Sequence, residues 1–199
     1  MMYLKNEQRG FTLVETVVFV SIFVVLLIAM VASIRYAYRG HRFVFEQADA
    51  TRSARTGIEQ VVRDLREASY ADSGAYPIVE MSADGITFYS DYDNDGRVER
   101  IQYILEGTNL KKSTTESAGD PPSYAIEADT VSIISDNVRN GAVSVPLFTY
   151  YDRGGVLMSD YTQVGDVAFV LARVVVNIHP ERAPEDFELR SSAALRNIK

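Results

Sequence analysis

The most regular pattern in the chain is an unbroken apolar run from Phe11 to Ile34. These 24 residues contain neither Gly nor Pro, and Glu15 is their one ionisable side chain. A helix of that length rises ~1.5 Å per residue and can cross a hydrocarbon layer of ~30 Å. The pattern therefore predicts a transmembrane helix. An acidic residue costs about 2.5–3.5 kcal/mol at the centre of such a helix and less near its ends, so Glu15 is expected to have a partner and a task.

After Ile34 the apolar positions continue at helical spacing without a break. We expect this amphipathic continuation to occupy residues 35–72 and the helix to end between Ala68 and Gly74. The predicted apolar face consists of Ile58, Val61, Val62, Leu65 and Ala68. Gly57 lies inside this stretch and is expected to weaken the helix by ~1 kcal/mol relative to Ala.

The remaining residues, 73–199, have the shorter period of β-strands. Segments 86–90 and 98–105 are rich in β-branched and aromatic residues, and the Asp95-Gly96 pair between them indicates a hairpin. Further strands are predicted at 145–151 and 156–158 on either side of a Gly-containing turn, at 166–178 and at 188–198.

Two stretches of this β-rich part have no clear strand pattern. Residues 113–124 are polar, contain two prolines and predict a loop. Residues 128–140 fit either a short helix or a strand. Taken together, the patterns predict an α+β fold in which a long N-terminal helix packs on an antiparallel β-sheet domain.

Composition narrows the class of protein. The net charge of −7 argues against a general nucleic-acid coat protein, which is normally basic. Without cysteine, an exported domain has no disulfide and must depend on its hydrophobic core. Residues 1–10 form a short polar leader that is basic at Lys5 and Arg9, and the apolar run follows this leader instead of lying within it.

The junction between leader and apolar run reads Gly10-Phe11-Thr12-Leu13-Val14-Glu15. This segment resembles the processing site of type IV pilins and type II secretion pseudopilins. The resemblance implies that a prepilin peptidase cleaves between Gly10 and Phe11 and that Phe11 is then N-methylated. It also implies that Phe11, Thr12 and Glu15 take part in filament assembly.

Elementary electrostatics gives the carboxylate a task. Cleavage would turn the amide nitrogen of Phe11 into an α-amino group, which is positively charged below a pKa of roughly 8 and stays charged after methylation. At membrane depth this amine and the Glu15 carboxylate would attract each other strongly, and pairing between neighbouring chains would set their axial stagger. The alternative is an uncleaved signal anchor with a tolerated acidic residue.

The β-rich part resembles a narrower group. It is similar to the J-type minor pseudopilins and related minor pilins in the strings ITFYSDYDNDGRVERIQYIL, VPLFTYYDRGG and VVVNI and in a terminal LRN. The resemblance implies a structural subunit, not an enzyme, of a type IV pilus, a competence pilus or a type II secretion system. Its expected partners are other major and minor pilins or pseudopilins and an inner-membrane assembly platform.

The resemblance also implies a location. The chain would first be a single-pass protein of the cytoplasmic membrane, in contact with lipid and with its globular domain outside. It would then enter a periplasmic or extracellular filament. The rival hypothesis, from a different class, is an uncleaved membrane-anchored surface binding module, with or without a dependence on calcium.

An acidic segment lies in the predicted hairpin. Asp91, Asp93, Asp95 and Gly96 fit positions 1, 3, 5 and 6 of a calcium-binding loop, but position 12 is Gln102, which cannot supply a bidentate carboxylate. The other interpretation is a β-turn in which these side chains accept hydrogen bonds from local backbone amides. The sequence favours the β-turn interpretation. Calcium is the one candidate cofactor, and we expect it to bind weakly at most.

Other candidate chemistry is sparse. The basic groups Lys111-Lys112 and Arg35, Arg39 and Arg42 could contact a polyanion, but solvation or pairing with acidic neighbours is favoured. His41 and His179 are the only histidines and are expected at the surface. No catalytic Ser, His and Asp group follows from the sequence.

Overall fold

The computed structural model describes residues 10, 12–178, 180–181 and 186–195, with the backbone alone at 39–46. It divides into two compact units, residues 1–45 and 46–199. One α-helix, α1 (Leu13–Arg66), begins in the first unit and ends in the second. The predicted α+β class is confirmed, with an apolar N-terminal helix followed by an antiparallel β-domain.

In the first unit, α1 exposes its apolar side chains. The segment Leu13–Tyr38 has a mean hydropathy of 3.1 over its most apolar window, and none of that window is buried within the chain. Its 26 residues are long enough and apolar enough to cross a membrane. Exposed apolar surface of this extent indicates that lipid or other helices cover the segment.

In the second unit, α1 buries the predicted apolar face. Ile58, Val61, Val62 and Leu65 are at most 4% exposed. Asp64 lies among them and is equally buried, which the apolar pattern does not indicate. This half of the helix therefore packs on the β-domain as predicted, with one carboxylate inside the interface.

The helix ends at Arg66, before the predicted interval that starts at Ala68. The backbone of Ala68 forms an isolated β-bridge with Ser90, and the Ser69 N–H donates to the Tyr89 carbonyl at 3.0 Å. Residues 67–72 therefore do not continue the helix. Long-range pairing with a strand replaces helical hydrogen bonds, and helical periodicity carries no information about such pairing.

A five-stranded antiparallel sheet forms the first layer, in the order β1-β2-β3-β4-β7. Its strands are β1 (Ile78–Met81), β2 (Gly85–Ser90), β3 (Glu99–Glu106), β4 (Asn109–Thr115) and β7 (Thr130–Ser135). Strands β2 and β3 form the predicted hairpin, with Phe88 opposite Ile101. The ambiguous stretch 128–140 thus contains a strand.

The predicted loop at 113–124 is wrong in part. Its first residues complete β4, which pairs with both β3 and β7. The rest contains a two-stranded ribbon of β5 (Ser117–Ala118) and β6 (Ser123–Tyr124). The polar side chains of these residues show no strand pattern. Strands form here nevertheless, because sheet pairing uses backbone N–H and C=O groups.

A three-stranded antiparallel sheet, β10-β9-β8, forms the second layer. Its strands are β8 (Phe148–Asp152), β9 (Val167–Val176) and β10 (Phe187–Ala194). The predicted strand at 156–158 is reduced to a single bridge between Tyr151 and Leu157. The Asp152 carboxylate accepts from the N–H groups of Gly154 and Val156, both at 2.8 Å, and so holds a tight turn there.

Buried aromatic residues join the two sheets into one core. The hydroxyl of Tyr150, on β8, hydrogen-bonds the carbonyl oxygens of Ser82 and Gly85, each at 2.9 Å. Phe88 and Tyr103 stack in the first sheet with ring centroids 6.1 Å apart. The core thus lies between α1 and the two sheets. Packing in this core holds the strands of the β2–β3 hairpin in place.

Candidate functional site

The N-terminal candidate residues form the cap of α1. Thr12 precedes the first helical residue, and its backbone N–H and hydroxyl both donate to Oε2 of Glu15, at 3.4 and 3.3 Å. In return, the Glu15 N–H donates to the Thr12 hydroxyl oxygen at 3.3 Å. This reciprocal arrangement is a capping box, a Thr followed three residues later by a Glu. Glu15 therefore has a structural role, and the spacing of Thr12 and Glu15 is the sequence signal for it.

The capping box leaves much of the carboxylate available. Thr12 and Glu15 are exposed, and within the described part of the chain no Lys or Arg forms an ion pair with Glu15. A carboxylate offers about four acceptor positions, and Thr12 uses one oxygen. Glu15 can therefore cap its own helix and still accept a cationic group from outside the chain.

The expected processing bond lies at the edge of the described residues. Gly10 is exposed, and a Cβ added there would meet no other atom within 4 Å. Phe11 lies outside the described residues, so its predicted cleavage and methylation remain predictions. The described residues set no steric demand for glycine at position 10.

Comparison with known families addresses this same segment. Residues 5–31 match the model of the prokaryotic N-terminal methylation motif. The match includes Gly10, Phe11, Thr12 and Glu15 and most of the apolar run. This chain thus carries the prepilin-type N-terminus of type IV pilin-like proteins, in front of a helix of membrane-spanning length.

The match does not extend into the β-domain. The comparison with curated proteins finds no match to the chain. The methylation motif implies processing by a prepilin peptidase and assembly with other pilins. The narrower resemblance to J-type minor pseudopilins is carried by the sequence strings alone.

The second candidate site is the acidic segment between β2 and β3. The Asp91 carboxylate accepts from the N–H groups of Asp95 and Gly96, at 3.1 and 3.2 Å. Asp93 accepts from the same Asp95 N–H at 3.3 Å, and Asp95 accepts from Arg97 N–H at 2.8 Å. These are the local hydrogen bonds of the β-turn interpretation.

Asn94 and Gly96 complete this turn. Their φ angles are 59° and 86°, in the left-handed region that Asn and Gly tolerate best. Such residues let the chain reverse while its backbone N–H groups point inward at the carboxylates. The turn is therefore encoded locally by its sequence.

The structure groups the carboxylates differently from the calcium-loop pattern. Ligand oxygens of Asp91, Asp93 and Glu99 lie within 4.8 Å of one another, and Asp95 is not a member of this group. Gln102, the predicted position 12, alternates with Ile101 and Tyr103 along β3 and so faces away from the core. Of the three candidate ligands Asp91, Asp93 and Asp95, the first two belong to this group, together with Glu99.

Sequence reasoning missed Glu99, although a signal existed. Along β3 the buried positions alternate, so Glu99, Ile101 and Tyr103 share the inner face of the sheet. Reading the alternation back from Ile101 would have placed Glu99 inside. Glu99 is fully buried, and its Oε2 accepts from the Tyr92 N–H at 3.3 Å.

The electrostatic surroundings of this group are negative. Burial raises the pKa of the Glu99 carboxyl to about 7, and the charges of Glu116 and Asp93 act in the same direction. Burial also raises the pKa of Glu116, with Asp95 and Asp93 contributing. The group therefore concentrates negative charge at one end of the hairpin.

Of the basic candidates, Lys111 and Lys112 are each paired with a carboxylate. Lys111 pairs with Glu106 at 2.5 Å, and Lys112 is buried and pairs with Asp64 at 2.7 Å. This is the predicted pairing with acidic neighbours. Arg35 belongs to the apolar segment of α1, whereas the side chains of Arg39, Arg42 and His41, together with His179, lie outside the described residues.

Proposed function

We propose that this chain is a minor pilin or pseudopilin, a structural subunit that enters a filament of a type IV pilus, a competence pilus or a type II secretion system. The observation that carries the proposal is the match of residues 5–31 to the N-terminal methylation motif, together with the apolar run from Phe11 to Ile34, which contains no Gly or Pro. A capped helix of this kind and a separate β-domain are the two parts that such a subunit needs. No catalytic role is proposed.

In this function Glu15 pairs with a neighbouring subunit. Cleavage after Gly10 creates a cationic amine at Phe11, and the exposed Glu15 carboxylate has room to accept it. Both charges lie in an apolar environment, where an uncompensated charge is costly and a matched pair is strongly favoured. Repetition of such a head-to-tail contact does not close and so builds a filament.

The proposal assigns the chain a route. It begins as a single-pass protein of the cytoplasmic membrane with the β-domain outside and with Leu13–Tyr38 in contact with lipid. A prepilin peptidase removes residues 1–10, and an inner-membrane platform then passes the subunit to other pilins or pseudopilins. A protein that is never cleaved and remains a membrane-anchored binding module is the competing function.

The mass of the N-terminus separates these two functions. Intact-protein and peptide mass spectrometry of the membrane fraction should find a chain that begins at Phe11, with one added methyl group. A control without prepilin peptidase should retain the leader. A chain that keeps Met1 or Met2 while the peptidase is present would support the membrane-anchored module instead.

Glu15→Gln tests the assembly contact. Gln also serves at the third helical position of a capping box, so this substitution removes the charge and keeps the cap. Removing one partner of a buried ion pair typically costs about 3–5 kcal/mol. We expect the variant to be inserted and cleaved normally, but to co-purify poorly with its partner pilins and to reduce the number of filaments.

The matched control is Glu59→Gln, which neutralises an exposed carboxylate on the second half of the same helix. It should leave co-purification and filament number unchanged. Wild-type assembly of the Glu15 variant would show that the carboxylate only caps the helix, and would place the subunit contacts in the β-domain.

A further inference from the structure

One end of the β2–β3 hairpin contains three carboxylates with no basic partner in the described structure. Oxygens of Asp91, Asp93 and Glu99 approach one another within 4.8 Å. Asp93 is exposed, Asp91 is half-buried and Glu99 is fully buried, so the group is open to solvent on one side. Like charges at this separation repel one another unless something neutralises them.

Glu99 is the member that ordinary folding does not explain. Its side chain is 0% exposed, and while Oε2 accepts from the Tyr92 N–H, Oε1 has no hydrogen-bond partner among the described residues. An unpartnered buried carboxylate oxygen is unfavourable because it loses its water and gains nothing in exchange. A buried carboxylate with an unpartnered oxygen, in a group with two other carboxylates, indicates a missing positive partner.

The nearby basic side chains do not fill that place. Lys112 Nζ lies 3.9 Å from the centre of the Tyr92 ring, but it is paired with Asp64 at 2.7 Å. Arg97 is exposed, and its backbone N–H is the group that the loop uses. The other charged groups that act on this region, Glu116 and Asp129, are acidic.

We propose that Asp91, Asp93 and Glu99 bind a calcium ion. Calcium takes six to eight hard oxygen ligands at about 2.3–2.6 Å, so it can bridge oxygens up to roughly 5 Å apart, which accommodates the observed separation. Magnesium binds at about 2.0–2.1 Å in strict octahedral geometry and bridges only about 4 Å. Three carboxylates provide the charge, and water or backbone carbonyls would complete the coordination.

The existing hydrogen bonds favour this use of the loop. Backbone N–H groups of Asp95 and Gly96 already hold the Asp91 carboxylate in place, and each oxygen keeps a free lone pair. The ligand set differs from the one predicted from the sequence, because Glu99 takes the place of Asp95. The ion would join the loop to the first residue of β3.

The position of the site suggests what the ion stabilises. Ser90, directly before Asp91, forms the β-bridge to Ala68 after the end of α1. On the β3 side, the Val98 N–H donates to the Asp72 carboxylate at 3.2 Å. Calcium at this end of the hairpin would therefore stabilise the junction between the helix end and the first sheet. This role does not depend on the proposed filament function.

The test uses the full-length chain in detergent after treatment with a chelator. Calcium is titrated by calorimetry, and thermal unfolding of the β-domain is followed by tyrosine circular dichroism. We expect one site with a dissociation constant on the order of 10⁻⁴ M, as in extracellular calcium modules. At about 5 mM calcium the Tm should rise by about 5 °C, and the same concentration of magnesium should have much less effect.

Three variants assign the ligands. Glu99→Gln and Asp93→Asn should each weaken calcium binding at least tenfold and remove most of the Tm shift. Asp95→Asn is the matched control, because it neutralises the same loop outside the group, and it should keep the shift. Without calcium, Glu99→Gln should have a higher Tm than the wild type at pH 8, since it removes a buried unpartnered charge.

Several results would overturn the proposal. A wild-type chain that shows neither a heat of calcium binding nor a calcium-dependent Tm shift would overturn it. This result needs no variant, so it decides the question even if Glu99→Gln fails to fold. An equal shift with magnesium would indicate general screening of negative charge. A loss of binding in Asp95→Asn as large as that in Glu99→Gln would favour the ligand set of the sequence pattern.

Discussion

Lys112 and Asp64 form an ion pair inside the β-domain, with Nζ 2.7 Å from Oδ2 and side chains 5% and 1% exposed. The Tyr103 hydroxyl donates to the same Oδ2 at 2.6 Å. The pair joins α1 to β4 through the core. It also explains how a helix face that is otherwise apolar carries a carboxylate.

We predict that Lys112→Met destabilises the domain by about 3–5 kcal/mol, because it leaves the buried Asp64 charge with only the exposed Arg63, whose Nε lies 3.7 Å from Oδ1. Lys111→Met is the control, since Lys111 pairs with the exposed Glu106, and it should cost less than about 1 kcal/mol. Chemical denaturation of the full-length chain in detergent measures both changes.

The double variant Asp64→Asn/Lys112→Met should recover much of that loss, because it removes both charges of the pair while Asn keeps an acceptor for the Tyr103 hydroxyl. A double variant as unstable as Lys112→Met would show that the pair contributes more than mutual neutralisation.

A second prediction concerns Gly57 on α1. Its Cα faces β7, and an added Cβ would lie 2.9 Å from the carbonyl oxygen of Ile134. Gly57→Ala should therefore destabilise the domain by about 1–3 kcal/mol through overpacking, even though Ala favours helices by ~1 kcal/mol. Gly141→Ala has open space around it and should change stability little. Stabilisation by Gly57→Ala in thermal unfolding would contradict the close contact.

The third prediction concerns acid stability. The Nε and Nη2 groups of Arg173 donate to Oε1 and Oε2 of Glu188, each at 2.7 Å. Arg190 also pairs with this carboxylate. Hydrogen bonds from these arginines lower the pKa of Glu188 from its ordinary 4.5 to about 2. The pairing stabilises the folded state fully above pH 4.5, and this contribution is lost as the pH falls through about 2.

Unfolding of the wild type and of Glu188→Gln between pH 7 and pH 2 tests this sign. The variant should be less stable near neutral pH, and the difference should shrink between pH 4.5 and pH 2. A difference that stays constant over that range would show that Glu188 contributes through packing and not through its charge.

The fourth prediction rests on the proposed processing. Gly10→Val should block removal of residues 1–10, because the peptidase must bind the backbone at this bond and a branched side chain obstructs it. None of the described residues lies within 4 Å of a Cβ added at Gly10, so we expect the β-domain to fold normally. Mass spectrometry of the membrane fraction measures whether the leader is removed. Gln8→Val, which also lies in the leader, is the control. Normal maturation of Gly10→Val would reject this role of Gly10.

The sequence by itself determined the features that depend on neighbouring residues. The apolar run from Leu13, the buried face of Ile58 and Leu65, and the β2–β3 hairpin with its Asp95-Gly96 turn all follow from local periodicity and turn chemistry. The methylation motif is likewise a contiguous string of residues.

Only the tertiary structure decided which distant residues meet. It ended α1 at Arg66 by pairing Ala68 with Ser90, and it buried Lys112 against Asp64. It also placed Glu99, instead of Asp95, beside Asp91 and Asp93. The physical reason is that pairing between strands and packing between layers depend on backbone groups and space far apart in the chain, whereas hydropathy and turn propensity act over a few residues.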